Sequence, residues 1–127
     1  MLMAKKILVA GSRSYTNYEE ARAYIDECLS SLGNHTIDTL LSGGCRGADC
    51  LGERYAEEQG WLVERYFPDW KRYGRGAGPK RNQDMVKAAD YVICFWDGGA
   101  GTKSTIRYAQ NMGKPLFIYY LSDCAEQ

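Results

Sequence analysis

A chain of 127 residues suits one domain of ordinary size and no second one, and 45% hydrophobic residues suffice to bury a core, which excludes a disordered chain. The 16 Lys and Arg residues balance 16 Asp and Glu, so no global charge advertises nucleic acid or a membrane surface. No run reaches the length of a membrane span, and the start from Met1 to Lys6 leads into a strand rather than a signal peptide, which predicts a cytoplasmic location. Along the chain, Lys6 to Ala10 is a short apolar run followed by glycine, the pattern of a strand buried on both faces. Thr16 and Glu19 have capping-box spacing. Behind them Tyr18, Ala21, Ile25, Cys28 and Leu29 form a helical stripe that Gly33 ends. Ile37 to Leu41 is the second strand, and Ala48, Leu51, Tyr55 and Ala56 trace a helix stopped by Gly60. Trp61 to Tyr66 alternates apolar and charged side chains, as a strand nearer the sheet edge does. A long loop is expected from Phe67 to Gly78. Pro79 then suits the first turn of a helix that buries Met85, Val86 and Ala89. Tyr91 to Trp96 is the most apolar strand and is expected at the centre of the sheet. Thr105, Ile106, Ala109 and Met112 line the last helix, closed by Gly113 and Pro115, and Leu116 to Tyr120 is the fifth strand.

Five strands separated by helices imply right-handed crossovers and a mostly parallel sheet. The expected fold is one Rossmann-like three-layer α/β domain over residues 1–127 with strand order 3-2-1-4-5. In that order the first and fourth strands are neighbours at the switch point, and ligands bind there, outside the carboxyl ends of the strands.

Three glycine-bearing loops fall at those ends. After the first strand come Gly11, Ser12 and Arg13. After the second come Ser42, Gly43, Gly44, Arg46 and Asp49. After the fourth come Asp97, Gly98, Gly99, Gly101 and Thr102. Glycine lets the backbone approach a ligand with no Cβ in the way. The last two loops open helices, whose free N–H groups and dipole favour an anion. Arg13 and Arg46 can neutralise phosphate charge with a fork that lysine lacks. Taken singly, each loop is explained equally well by a tight strand-to-helix turn. Their convergence points to a phosphate-bearing nucleotide. The spacing is neither a dinucleotide GxGxxG with its distant acid nor a P-loop.

Cysteine adds little. Cys28, Cys45, Cys50, Cys94 and Cys124 are odd in number without a secretion signal, which argues against a disulfide framework. With no CxxC pair and His35 as the sole histidine, no protein-held metal site is expected. Magnesium is expected only through ligand phosphates. Trp70 to Asn82 carries five basic residues and no acid. Following the third strand, it reads either as a solvated loop or as a mobile lid. As a lid, Arg75, Lys80 and Arg81 would clamp phosphates while Trp70 or Tyr73 stacks on a base.

Gly11-Ser-Arg13, the run from Ser42 to Asp49, Asp69-Trp70, the segment from Tyr73 to Asn82 with Met85, and Trp96 to Thr102 resemble the YspA-like branch of the SLOG superfamily, which also includes the Lonely Guy phosphoribohydrolases and DprA. The resemblance spans nearly the whole chain in the same order. It implies a Rossmannoid domain that binds nucleotides or nucleotide-derived ligands, ADP-ribose-like or NAD-derived ones among them, and it implies possible homo-oligomers. Lonely Guy enzymes carry PGGxGTxxE with a catalytic glutamate. Here Asp97 replaces the proline and Thr105 the glutamate, and Thr105 supplies no acid/base carboxylate. Asp97, Asp49 and Glu53 remain as candidate catalytic carboxylates, or as a loop cap, a helix-terminal anion and an outward helix residue. The leading expectation is a ligand-binding or sensing domain and not an enzyme. The alternatives are a nucleotide hydrolase acting on N-glycosidic or phosphoester bonds, and a DprA-like single-stranded DNA binder using the basic aromatic segment.

Overall fold

The computed structural model describes residues 4–33 and 36–121, so His35 and Cys124 lie outside the described residues. Strand β1 (Ala4–Gly11) leads to α1 (Tyr18–Leu32), β2 (Thr36–Ser42) to α2 (Ala48–Gln59), and β3 (Leu62–Arg65) to the short α3 (Trp70–Tyr73). A single 3₁₀ turn, Gly74–Gly76, runs into α4 (Ala77–Ala88), followed by β4 (Tyr91–Trp96), α5 (Ala100–Asn111) and β5 (Leu116–Tyr120). The sheet order is β3-β2-β1-β4-β5, with every pairing parallel. It is the order that the alternation of apolar runs and helical stripes predicts.

Alternation along the strands decides which helices cover which face. Ile7 and Val9 of β1, with Ile93 and Phe95 of β4, pack against Ala21 and Ile25 of α1 and Tyr55 and Ala56 of α2. Leu8 and Ala10, with Val92 and Cys94, face Met85 and Val86 of α4 and Ile106 and Ala109 of α5. Ile7, Leu8, Ile93 and Phe95 are wholly buried. Strands covered on both faces therefore carry continuous apolar runs. β3 is an edge strand, and Leu62 on it stays exposed.

β4, the most apolar strand, lies in the interior of the sheet between β1 and β5, as expected. Two expectations need correction. The N-cap of α1 is Asn17, not Thr16: its Oδ1 accepts the Glu20 N–H at 3.1 Å, so the cap lies one residue later than the Thr16–Glu19 spacing implied. The region from Phe67 to Gly78 is not a long loop, because Asp69 caps α3 by accepting the Arg72 N–H at 3.1 Å and α4 begins at Ala77. Among the described residues no helix is long and apolar enough to cross a membrane.

Candidate functional site

β1 continues into α1 on one face and β4 into α5 on the other, so the chain parts between their carboxyl ends. A cavity of about 380 Å³ opens there. Gly11, Ser12, Arg13 and Ser14 form its wall from the β1 end. This wall is pinned by backbone. The Ser12 N–H donates to the Phe95 carbonyl at 2.9 Å, and the Ser12 carbonyl accepts the Ala48 N–H at 2.9 Å. The close approach demands glycine at Gly47, where φ is +78° and a Cβ would lie 2.3 Å from the Ser12 oxygen.

The loop after β2 contributes Gly43, Cys45 and Asp49 to the cavity. The buried Ser42 hydroxyl donates to Glu53 at 2.7 Å and accepts the Gly44 N–H at 3.0 Å. Glu53 in turn receives Arg65 through two bonds, at 3.0 and 2.7 Å. Arg65, the larger influence, and the Ser42 hydroxyl hold the Glu53 carboxyl below its ordinary range against the opposing effect of burial. Ser42 and Glu53 thus brace the loop and do not line the cavity. Asp49 differs. It is 7% exposed, and burial pushes its carboxyl up to about 6 even though the Cys45 N–H, donating at 3.2 Å, and the charges of Arg81 and Arg13 pull it down.

Arg81 on α4 reaches over Gly43, where a Cβ would meet Asp49 Oδ2 at 2.9 Å and Arg81 Nη1 at 3.1 Å. Nη1 donates to the carbonyls of Gly43 at 3.1 Å and Tyr66 at 3.3 Å, and Nε donates to Asn82 Oδ1 at 2.9 Å. The guanidinium is fixed in place, with Nη2 unpartnered among the described residues. Asn82 and Met85 line the cavity beside it.

The fourth wall is the start of α5. Asp97 Oδ1 accepts the Gly99 N–H at 2.9 Å, and the Trp96 indole donates to the Gly99 carbonyl at 2.9 Å. Beyond them Gly101, Thr102 and Thr105 face the cavity, and no side chain caps the helix. Its first N–H groups have no intrahelical acceptor.

Of the residues singled out in the sequence, Gly11, Ser12 and Arg13 meet Gly43 and Asp49 in this cavity, opposite Arg81 and Asn82. Asp97, Gly99, Gly101 and Thr102 complete it. Ser42, Glu53, Gly44, Arg46 and Gly98 are not among its lining residues, and Arg46 is exposed. Trp70, Tyr73 and Arg75 stand exposed outside it, on the helical segment that replaces the expected lid loop. Cys45 of the Ser42–Asp49 run also lines the cavity, as do Ser14, Met85 and Thr105, to which the glycine-loop pattern does not point. Helical spacing holds a signal for the last two, since Met85 lies four residues after Arg81 and Thr105 four after Gly101. Cys50 is exposed, its thiol donating to the Cys45 carbonyl at 3.3 Å. Among the described residues no group of three or more His, Cys, Asp or Glu side chains is placed to hold a metal ion.

Residues 5–73 match the family model YAcAr, the YspA, cpYpsA-related SLOG family. The Gene 61 protein of Mycobacterium phage D29 is 33% identical over 123 residues, which span 91% of this chain and 96% of that protein. The X-ray structure of TM1055 has the same fold, with a TM-score of 0.60 at 22% identity, covering 90% of this chain and 72% of that one.

Proposed function

Because the chain belongs to the YspA, cpYpsA-related SLOG family, we propose that its crevice binds a phosphate-bearing nucleotide or nucleotide-derived ligand, with phosphate seated on the start of α5. One observation carries this reading: the uncapped N-terminus of α5, Arg81 Nη2 and Arg13, the last two without a partner among the described residues, converge on one cavity. Backbone N–H groups and the helix dipole favour an anion there. Arginine adds charge-assisted hydrogen bonds. Apart from its own stretch of helix, Gly101 has no atom of the described residues within 4 Å of the place a Cβ would take, which leaves the backbone open to close approach. A Mg²⁺ ion carried in on the phosphates would find the second oxygen of Asp97, since among the described residues only Oδ1 is engaged. The test is native mass spectrometry of the protein incubated with a mixture of nucleotides. An intact ligand retained by wild type and lost from Gly101→Val is the expected result. Retention of no nucleotide, or equal retention by both proteins, overturns the reading.

A second reading, hydrolysis of a nucleotide at its N-glycosidic or phosphoester bond, draws on Asp49. A cavity carboxyl brought to about 6 sits where an acid/base group works near neutral pH. Thr105 offers no carboxylate, so Asp49 would carry the proton transfer. Free base or released phosphate in the same incubation, abolished by Asp49→Asn, would establish it.

A further inference from the structure

A second cavity, of about 270 Å³, opens beside the first. Ser12, Ser14 and Asp97 line both, so the two are parts of one crevice with a common wall. The Ser12 and Ser14 hydroxyls pair there at 3.0 Å, and Asp97, whose Oδ1 accepts the Gly99 N–H, borders both cavities with a carboxylate. A bare phosphate is unfavourable against this wall. Ribose hydroxyls, or a cation carried on the phosphates, are matched to it. The phosphate belongs instead at Gly101 and Thr102, which with Arg13 and Arg81 border the first cavity alone.

Beyond the common wall, the second cavity is bordered by Asn17 and Glu20 at the start of α1. Asn17 spends Oδ1 on the Glu20 N–H at 3.1 Å, which leaves its Nδ2 a donor without a partner among the described residues. The Glu20 carboxylate offers only acceptors. It is positioned by the fold, since Oε1 accepts the Tyr15 hydroxyl at 2.7 Å and Tyr15 stacks on Phe95 with ring centroids 5.1 Å apart. Of the roughly four lone-pair sites on a carboxylate, Tyr15 takes one. The Tyr119 hydroxyl, near enough for the Glu20 charge to act on it, takes at most one more. Leu121 and Tyr15 add apolar surface to the same cavity.

We infer that the second cavity is the base subsite of the crevice and that Glu20, with Asn17, makes it selective for guanine. The inference rests on the phosphate seat proposed above and names the nucleotide class that the seat takes. A phosphate on α5 and a ribose on the common wall carry the base into the second cavity. There a fixed carboxylate stands three residues from an open amide donor. Guanine alone among the common bases sets two adjacent N–H groups, N1 and N2, beside one carbonyl, O6. Both N–H groups can donate to Glu20 while O6 accepts from the Asn17 amide. Adenine sets the N1 lone pair beside its amino group, so one carboxylate oxygen would face an acceptor, and both would go unpaired. Uracil and cytosine likewise lack the second adjacent donor.

Calorimetry with GDP and ADP, which differ only in the base, tests this. In wild type GDP should bind at least about tenfold tighter than ADP, the scale of one charge-assisted hydrogen bond. Glu20→Gln keeps an acceptor for the Tyr15 hydroxyl but sets an amide N–H₂ against the guanine donors. The preference should disappear, through weaker GDP binding while ADP binding holds. Asn17→Asp still caps α1 but turns an oxygen toward O6, and it should lower the preference as well. A substitution that merely loosens the fold weakens both nucleotides alike, so the ratio of affinities separates recognition from stability. ADP bound by wild type as tightly as GDP, or a preference that survives Glu20→Gln, overturns the guanine subsite and leaves the phosphate seat standing. Failure of both nucleotides to bind overturns both.

Discussion

The loops that open α2 and α5 have similar glycine-rich sequences and sit at equivalent edges of the sheet, yet they are built for different work. In the α2 loop three donors are engaged internally. The Ala48 N–H goes to Ser12, the Gly44 N–H to Ser42 and the Cys45 N–H to Asp49. An acidic side chain already occupies the first turn of the helix. In the α5 loop only the Gly99 N–H is claimed by a side chain among the described residues, and the first turn carries no acidic residue. Composition does not distinguish a frame from an anion seat. The difference lies in which N–H groups the protein itself has already used.

Substituting one glycine in each loop is the most forceful way to break this comparison. Gly47→Ala would drive a Cβ to 2.3 Å from the Ser12 oxygen and 2.5 Å from the Arg13 carbonyl carbon, at a φ of +78°. Backbone on both sides cannot yield, and the cost should be about 3 kcal/mol or more. Against a typical stability of about 5–15 kcal/mol, this is a large shift in the urea midpoint. Gly101→Val should do the reverse. With open space around the new Cβ, its urea midpoint should move by less than the equivalent of about 1 kcal/mol. Its side chain would project into the cavity and remove nucleotide binding. A Gly47 variant as stable as wild type, or a Gly101 variant that binds normally, would erase the distinction between frame and seat.

The sequence discloses the fold more readily than the site because strands buried on both faces repeat a strong, local signal. β1 and β4 read as apolar runs, and handedness then orders them. The four residues of α3 are too few to show any helical period, so the segment from Trp70 reads as loop despite Pro68 and Asp69 before it. The site residues are legible as loops, not as side chains. Arg46 and Arg81 look alike in sequence, and only contacts distant along the chain, from Arg81 to the carbonyls of Gly43 and Tyr66, direct one of them into the crevice. The role of Asp49 is hidden for the same reason, since its burial depends on α4 closing over the β2 loop.

Asp49 sharpens the comparison through pH. Its carboxyl titrates at about 6 in the folded protein, above its value in the unfolded chain, chiefly because burial penalises the charged form. Between about pH 4 and 6 the folded state holds a proton that the unfolded state has lost, so stability falls as pH rises through that window. Asp49→Asn removes this dependence while keeping an acceptor for the Cys45 N–H. Variant and wild type should be closest below pH 4, and the variant should gain about 3 kcal/mol on wild type by pH 7. Urea unfolding across that range gives the difference directly. Parallel curves for the two proteins would mean that Arg81 and Arg13, which pull the value down, outweigh burial.

The smallest effects belong to the two arginines, and their contrast tests the geometry most closely. Arg81 is held on α4 by three hydrogen bonds with Nη2 still free, whereas Arg46 stands exposed on the α2 loop. Arg81→Ala should weaken nucleotide binding by about 2 kcal/mol, the worth of a charge-assisted hydrogen bond. Arg46→Ala should change it by about twofold or less, as an exposed, salt-screened charge does. Arg81→Lys separates charge from shape. A lysine keeps the positive charge but cannot bond to Gly43 and Tyr66 while presenting a second, fixed nitrogen to the cavity. If affinity needs only charge, the Arg81→Lys variant behaves as wild type. If it needs the fixed fork, most of the loss seen with alanine remains, and raising the salt concentration should weaken binding by the lysine variant more steeply than by wild type. The geometry favours the second outcome, because the carbonyls that hold Nη1 orient Nη2 before any ligand arrives.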